Sequence, residues 1–142
     1  MKLRHLLGLP ALLCSTYLYA DLGVEDAWVR GLPPGVANAS AYMTLTNTGA
    51  EDVVLTGASS PIAGSVLLHS TMNHDGMLHM THIESVTVPA GGAVKLETGG
   101  THLMLMELSA TPVPGDEVEL TLQYADGSAQ TVRLPVRSVL DE

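Results

Sequence analysis

From residue 24 onward, hydrophobic and polar positions alternate in short runs and show no sustained helical period. Alternating segments fall at 24–30, 40–47, 53–58, 65–71, 78–84, 93–97, 102–107, 117–124 and 130–136. Between them lie turn-forming clusters: Pro33-Pro34-Gly35, Asn47-Thr48-Gly49, Asn73 to Gly76, Pro89 to Gly92, Gly99-Gly100, Pro112 to Gly115 and Asp126-Gly127. A period of two marks a strand with one buried face, and many short strands at this spacing predict an all-β antiparallel sandwich or barrel. Asp126-Gly127 between two alternating runs predicts a hairpin. There is no internal repeat, linker or low-complexity segment, so residues 21–142 are read as one domain.

The first 20 residues break this pattern. Lys2, Arg4 and His5 precede an apolar run over 6–13, interrupted only by Gly8 and Pro10, and Ala20 suits a cleavage site. The run is too short to span a bilayer, which takes about 20 apolar residues, and it reads as an export signal. Cys14 is set aside as a lipid-bearing residue because Leu13 stands where that signal wants a small side chain. Removing the leader takes two of the six basic residues and leaves a net charge of −11, with fifteen acidic residues. That balance argues against nucleic acid and against an anionic membrane surface. The remaining 122 residues hold no cysteine, which excludes disulfides and thiol chemistry. Phe is absent and Trp occurs once, so the core must come from Val, Leu, Ile, Met and Ala.

The unusual chemistry is in histidine and methionine. The fourteen residues 69–82 hold His69, Met72, His74, Met77, His79, Met80 and His82. Singly, a Met is most often core filler and a His a solvated or hydrogen-bonded side chain. Together they exceed what packing or solvation asks of a loop and strand. The enrichment points to a metal, copper before zinc, without saying which residues bind. Thioether sulfur favours Cu(I). Alternation adds a second pair: His102, Met104 and Met106 share one strand face, with Leu103 and Leu105 turned to the core. Met80 shares a face with Leu78 and His82, and His69 is placed at a strand end before a turn over 70–76.

The spacing His69-x10-Met80-x21-His102-x-Met104 resembles the motif of the periplasmic copper chaperones called PCuAC. Asp75-Gly76-Met77 ahead of Met80, the stretch Gly99-Gly100-Thr101-His102-Leu103-Met104-Leu105-Met106, Ala27-Trp28-Val29-Arg30 and the segment 41–47 are similar to that family as well. The likeness covers essentially all of 21–142. It implies a cupredoxin-like Greek-key β-sandwich, with Cu(I) held by His69, Met80, His102 and Met104. It also implies delivery of copper in the periplasm toward the binuclear copper site of cytochrome c oxidase, the acceptor being an oxidase subunit or an assembly factor. A His- and Met-rich tail found in some members has no counterpart here, since the sequence ends Leu140-Asp141-Glu142.

Two imidazoles and two thioethers form a neutral donor set that binds Cu(I) without deprotonating a thiol, which suits an oxidising compartment. Transfer to a thiolate acceptor then runs downhill. A blue-copper electron carrier needs a Cys ligand and is excluded. No carboxylate pair, nucleophile–base arrangement or phosphate loop is present, so the chain is read as a monomeric binding protein and not an enzyme. Two alternatives stay open: copper storage or detoxification without a dedicated acceptor, and a structural β-sandwich with a Met-rich core. His74, His79 and His82 raise the further question of a secondary Cu(II) site, against the simpler view that they are solvated.

Overall fold

Among the residues that the computed structural model describes (22–138 and 140), the period-two pattern is realised as ten strands and no α-helix. They are β1 Gly23–Arg30, β2 Ala39–Thr46, β3 Val53–Ser59, β4 Ala63–His74, β5 Met77–His82, β6 Val86–Val88, β7 Ala93–Leu96, β8 Thr101–Leu108, β9 Glu117–Tyr124 and β10 Ala129–Arg137. The leader reading, Cys14 included, lies outside the described residues. No helix among the described residues is long and apolar enough to cross a membrane.

Seven strands close a barrel in the order β4-β8-β2-β1-β10-β9-β3, with β3 returning to β4 through Ala58 and Val66. Chain-distant strands lie side by side, as Greek-key connections produce. β5 extends the sheet beyond β4, β6 beyond β3, and β7 pairs with part of β2. Pairing is antiparallel except between β1 and β10, where Val29 and Arg30 align in parallel with Val136 and Arg137. That parallel seam joins two segments more than 100 residues apart, which local pattern does not reveal.

The barrel interior is aliphatic, as the composition requires: Val29, Met43, Leu45, Leu55, Leu68, Leu103, Leu105, Leu120, Leu122 and Leu134 are almost wholly excluded from solvent. β2 contributes Ala39, Ala41, Met43 and Leu45 to it, its alternate residues facing outward. The predicted hairpin at Asp126-Gly127 is present. The Gly127 N–H donates to Tyr124 O (3.0 Å), and Gly127 takes φ 86°, the left-handed residue that a three-residue hairpin loop needs.

One irregularity in β1 decides which side chains reach the outer surface. Glu25 pairs with Thr44 and Trp28 pairs with Tyr42, so two residues of β1 oppose Met43 alone. This is a β-bulge, and Asp26 within it has φ 51°. The extra residue switches the alternation: beyond it Val29 points inward and Trp28 joins Tyr42 outside.

Candidate metal centre

The outer face of three adjacent strands carries the soft donors. β4 and β8 pair with His69 opposite His102 and Leu67 opposite Met104. β4 and β5 pair with His69 opposite His82 and Thr71 opposite Met80. Since alternate residues share a face, His69, His82, His102, Met80 and Met104 all project from the same side of this sheet. His69 stands in the middle: its ring centroid is 6.1 Å from that of His102, with planes at 86°, and 6.1 Å from that of His82, at 79°. As the alternation predicts, Leu103 and Leu105 are buried on the opposite face.

The four predicted ligands differ in how firmly they are held. His102 is only 2% exposed. Its Nδ1–H donates to Gly100 O (3.2 Å), because a carbonyl can only accept; this leaves Nε2 as the lone-pair nitrogen. Tyr42 packs at 6.2 Å from His102, Trp28 lies 4.8 Å from Tyr42, and the Arg30 guanidinium sits 5.8 Å over the Tyr42 ring. Ser40 Oγ approaches Met104 Sδ at 4.0 Å and helps fix the thioether. Met80 is different: it sits on the outermost strand and is 62% exposed. β5 and β8 are separated by β4, roughly 10 Å at ordinary strand spacing. An ion shared by Met80, His102 and Met104 therefore has to lie above β4, over His69.

The donor chemistry fits a soft cation. His69 Nδ1 and His102 Nε2 are buried with no hydrogen-bond partner among the described residues. Leaving such atoms unpaired is costly unless something else takes their lone pairs. No group of three or more His, Cys, Asp or Glu side chains among the described residues is arranged to hold a metal ion, so a centre here needs the thioethers. Thioethers with imidazoles favour Cu(I).

The pKa of His69 lies below the ordinary 6.5, first because burial disfavours the imidazolium and then through the electrostatic influence of the neighbouring His102 and His82. The unfolded chain then takes up a proton at His69 that the folded chain refuses. Above pH 6.5 this residue has no effect on stability. As pH falls from 6.5 through the lowered folded value, stability is progressively lost, and below that value the loss is complete. We expect the His69 C–H resonances to titrate below 6.5, and His82→Gln to move that midpoint back up. A midpoint at or above 6.5 would contradict the crowded imidazole arrangement.

One expectation needs correction. β4 does not end at His69; it runs on to His74, and the turn is only Asp75-Gly76. Asp75 at φ 51° and Gly76 at φ 81° form the tight two-residue turn that suits strand twist, and Gly76 N–H donates to Asn73 Oδ1 (3.1 Å). Nor do His74, His79 and His82 form one group: His82 lies on the face of His69, and His74 and His79 lie on the reverse face. His82 Nδ1–H donates to Leu68 O (3.1 Å). Register could have placed His82: counting outward from a turn at Asp75-Gly76 sets it opposite His69. Ser40, Tyr42 and Trp28 had no such signal, because the pairing of β2 with β8 is non-local.

The family model described as "Putative lipoprotein LpqE-like" matches residues 22–136. The chain belongs to the LpqE-like family. A relative, "Putative lipoprotein Lxx21020" of Leifsonia xyli subsp. xyli, is 36% identical over 115 residues, covering 80% of this chain and 68% of its own length. "Uncharacterized protein RP573" of Rickettsia prowazekii is 28% identical over 102 residues, covering 71% of this chain and 56% of its own. Both relatives thus extend beyond the shared LpqE-like region. Among solved structures, "Copper-bound PCuAC domain from PmoF2" superposes with a TM-score of 0.71 at 23% identity, over 86% of this chain and 97% of that one. The Cu(I) form of DR1885 from Deinococcus radiodurans superposes with a TM-score of 0.67 at 35% identity, over 90% of this chain and 86% of that one. The LpqE-like fold is therefore the cupredoxin-like PCuAC fold, as the sequence resemblance implies.

Proposed function

We propose that this LpqE-like chain is an exported Cu(I) metallochaperone, with copper as cargo and not as a resident catalytic cofactor. His69, Met80, His102 and Met104 are the ligands. The observation that carries the reading is the pair of buried, unpartnered imidazole nitrogens, His69 Nδ1 and His102 Nε2, beside Met104. Similarity to structures whose titles name copper supports it.

The geometry suits a carrier. His102 and Met104 belong to a barrel strand, held by Gly100, Ser40 and Tyr42, and keep their places when the ion leaves. Met80 belongs to an exposed edge strand and is the donor that an incoming acceptor meets first. With no thiolate among the ligands, transfer to a Cys-bearing acceptor is downhill. The proposed acceptor is the binuclear copper site of a cytochrome c oxidase subunit or an assembly factor serving it, reached in the periplasm by a monomeric protein after its leader is removed. The lipoprotein description of the family puts Cys14 beside Ala20 as a processing position, and the intact mass of the exported protein separates the two.

Anaerobic titration with Cu(I) against a chromogenic chelator tests the binding step. One tight equivalent is expected, followed by transfer to a purified oxidase copper domain with its spectroscopic signature appearing there. Failure to compete with the chelator would leave a structural β-barrel. Tight binding without transfer would favour storage.

A further inference from the structure

The β4–β5 hairpin outruns the barrel. β4 last pairs with β8 at Ser70, opposite Thr101, Thr71 N–H still donates to Gly100 O (3.1 Å), and from Met72 to His74 the strand is paired with β5 alone. Lower on β4, Val66 and Leu68 are buried in the core. The same face continues upward as Ser70, Met72 and His74, past the point where the barrel covers it. Met72 is 55% exposed, and Met77, on the facing strand, is 64% exposed. Neither packs a core, which is the ordinary use of Met.

The register completes a pattern. Met72 stands opposite His79, and His74 stands opposite Met77. All four residues share the face opposite to His69, Met80 and His82. They form a two-by-two array in which each imidazole has a thioether across the ladder and another along its own strand. Cross-strand partners are about 5.5 Å apart and next-but-one residues about 6.8 Å apart. The centre of the array is then within about 4–5 Å of each Cβ, a span that Met and His side chains reach. The two-residue turn at Asp75-Gly76 fixes this register, because a slip of one residue would move all four to the other face.

We propose that Met72, His74, Met77 and His79 form a second Cu(I) site on the reverse face of the hairpin. It repeats the donor set of the first site but not its support. All four side chains are exposed, and none has a counterpart to the Gly100 and Tyr42 contacts that hold His102. Binding is therefore weaker and faster to exchange than at the barrel face. The site stands independently of the chaperone reading, since it uses none of His69, Met80, His102 or Met104.

The test uses the chain labelled at its methionine methyl groups and titrated anaerobically with Cu(I), with Ag(I) as a redox-inert parallel. In the native protein the Met80 and Met104 methyls should shift first, and Met72 and Met77 should shift with the second equivalent. In the double variant His102→Ala/Met104→Leu, the Met72 and Met77 shifts should persist. In the variant Met72→Leu/His74→Gln/Met77→Leu/His79→Gln, total copper should fall from two equivalents to one; these exposed positions leave the fold unaffected. Met72 and Met77 methyls unmoved at two equivalents, or undiminished stoichiometry in the fourfold variant, would overturn the proposal. Shifts at Met72 and Met77 without tight binding at the barrel face would keep this site and overturn the chaperone reading instead.

Discussion

Met104→Leu should weaken Cu(I) binding by more than about 100-fold while barely changing the fold. Loss of an outer partner to a metal ligand already costs about 10–100-fold, and removing the donor atom costs more. Leu and Met are close in volume, and such exchanges usually cost less than about 1.5 kcal/mol. Met104 faces outward beside Ser40 and is only partly buried, so the packing change falls at the softer end of that range. Chelator competition measures the affinity, and urea unfolding the stability. Unchanged affinity would remove Met104 from the ligand set and weaken the case for Cu(I). A large stability loss with unchanged affinity would recast Met104 as packing.

The neighbouring residue should behave in the opposite way. Leu103→Ala is expected to destabilise the protein by about 2–5 kcal/mol, the usual cost of emptying a buried leucine site. Leu103 is fully buried between Ala41 on β2 and Leu68 on β4, where the closed barrel leaves little room for collapse. The urea midpoint should fall sharply, while copper affinity measured well below that midpoint changes far less than in Met104→Leu. Two adjacent residues of one strand thus separate binding from folding. If Leu103→Ala removed copper binding at temperatures where the barrel remains folded, the two faces of β8 would be coupled more tightly than the register implies.

Much of this architecture is written locally. Alternation along 102–107 assigns His102 and Met104 to one face and Leu103 and Leu105 to the other, and the structure agrees because β8 alternates regularly from His102 to Met106, ahead of the left-handed Glu107, and the Leu103–Leu105 face is wholly buried. The similarity to PCuAC domains is legible in the motif and its flanks. What escaped local reading has physical causes. β6 is three residues, Val86–Val88, too short to show a period. The upper half of β4 is polar and exposed, held by its hairpin partner and not by burial, so it carries no apolar alternation. The parallel seam of β1 with β10 and the stacking of Tyr42 on His102, with Trp28 behind Tyr42, depend on strands far apart in the chain. The division of the histidines between two faces was within reach, because it needed only the turn position and the count outward from it.

The bulge at Asp26 also governs how this chain can change in length. Because Asp26 and Ala27 together oppose Met43, deleting one of them would remove the bulge and let Gly23 to Glu25 and Trp28 to Val29 keep their present partners on β2. Inserting one there would add a second misfit opposite Met43. The turn at 33–36, between the backbone bonds of Leu32 and Ala37, absorbs such edits without disturbing the strand ladder. Kin of this protein should accordingly vary in length at their connections and, within the first strand, tolerate the loss of one residue at the bulge better than a gain, so that the gaps in their alignments trace the joints of the barrel.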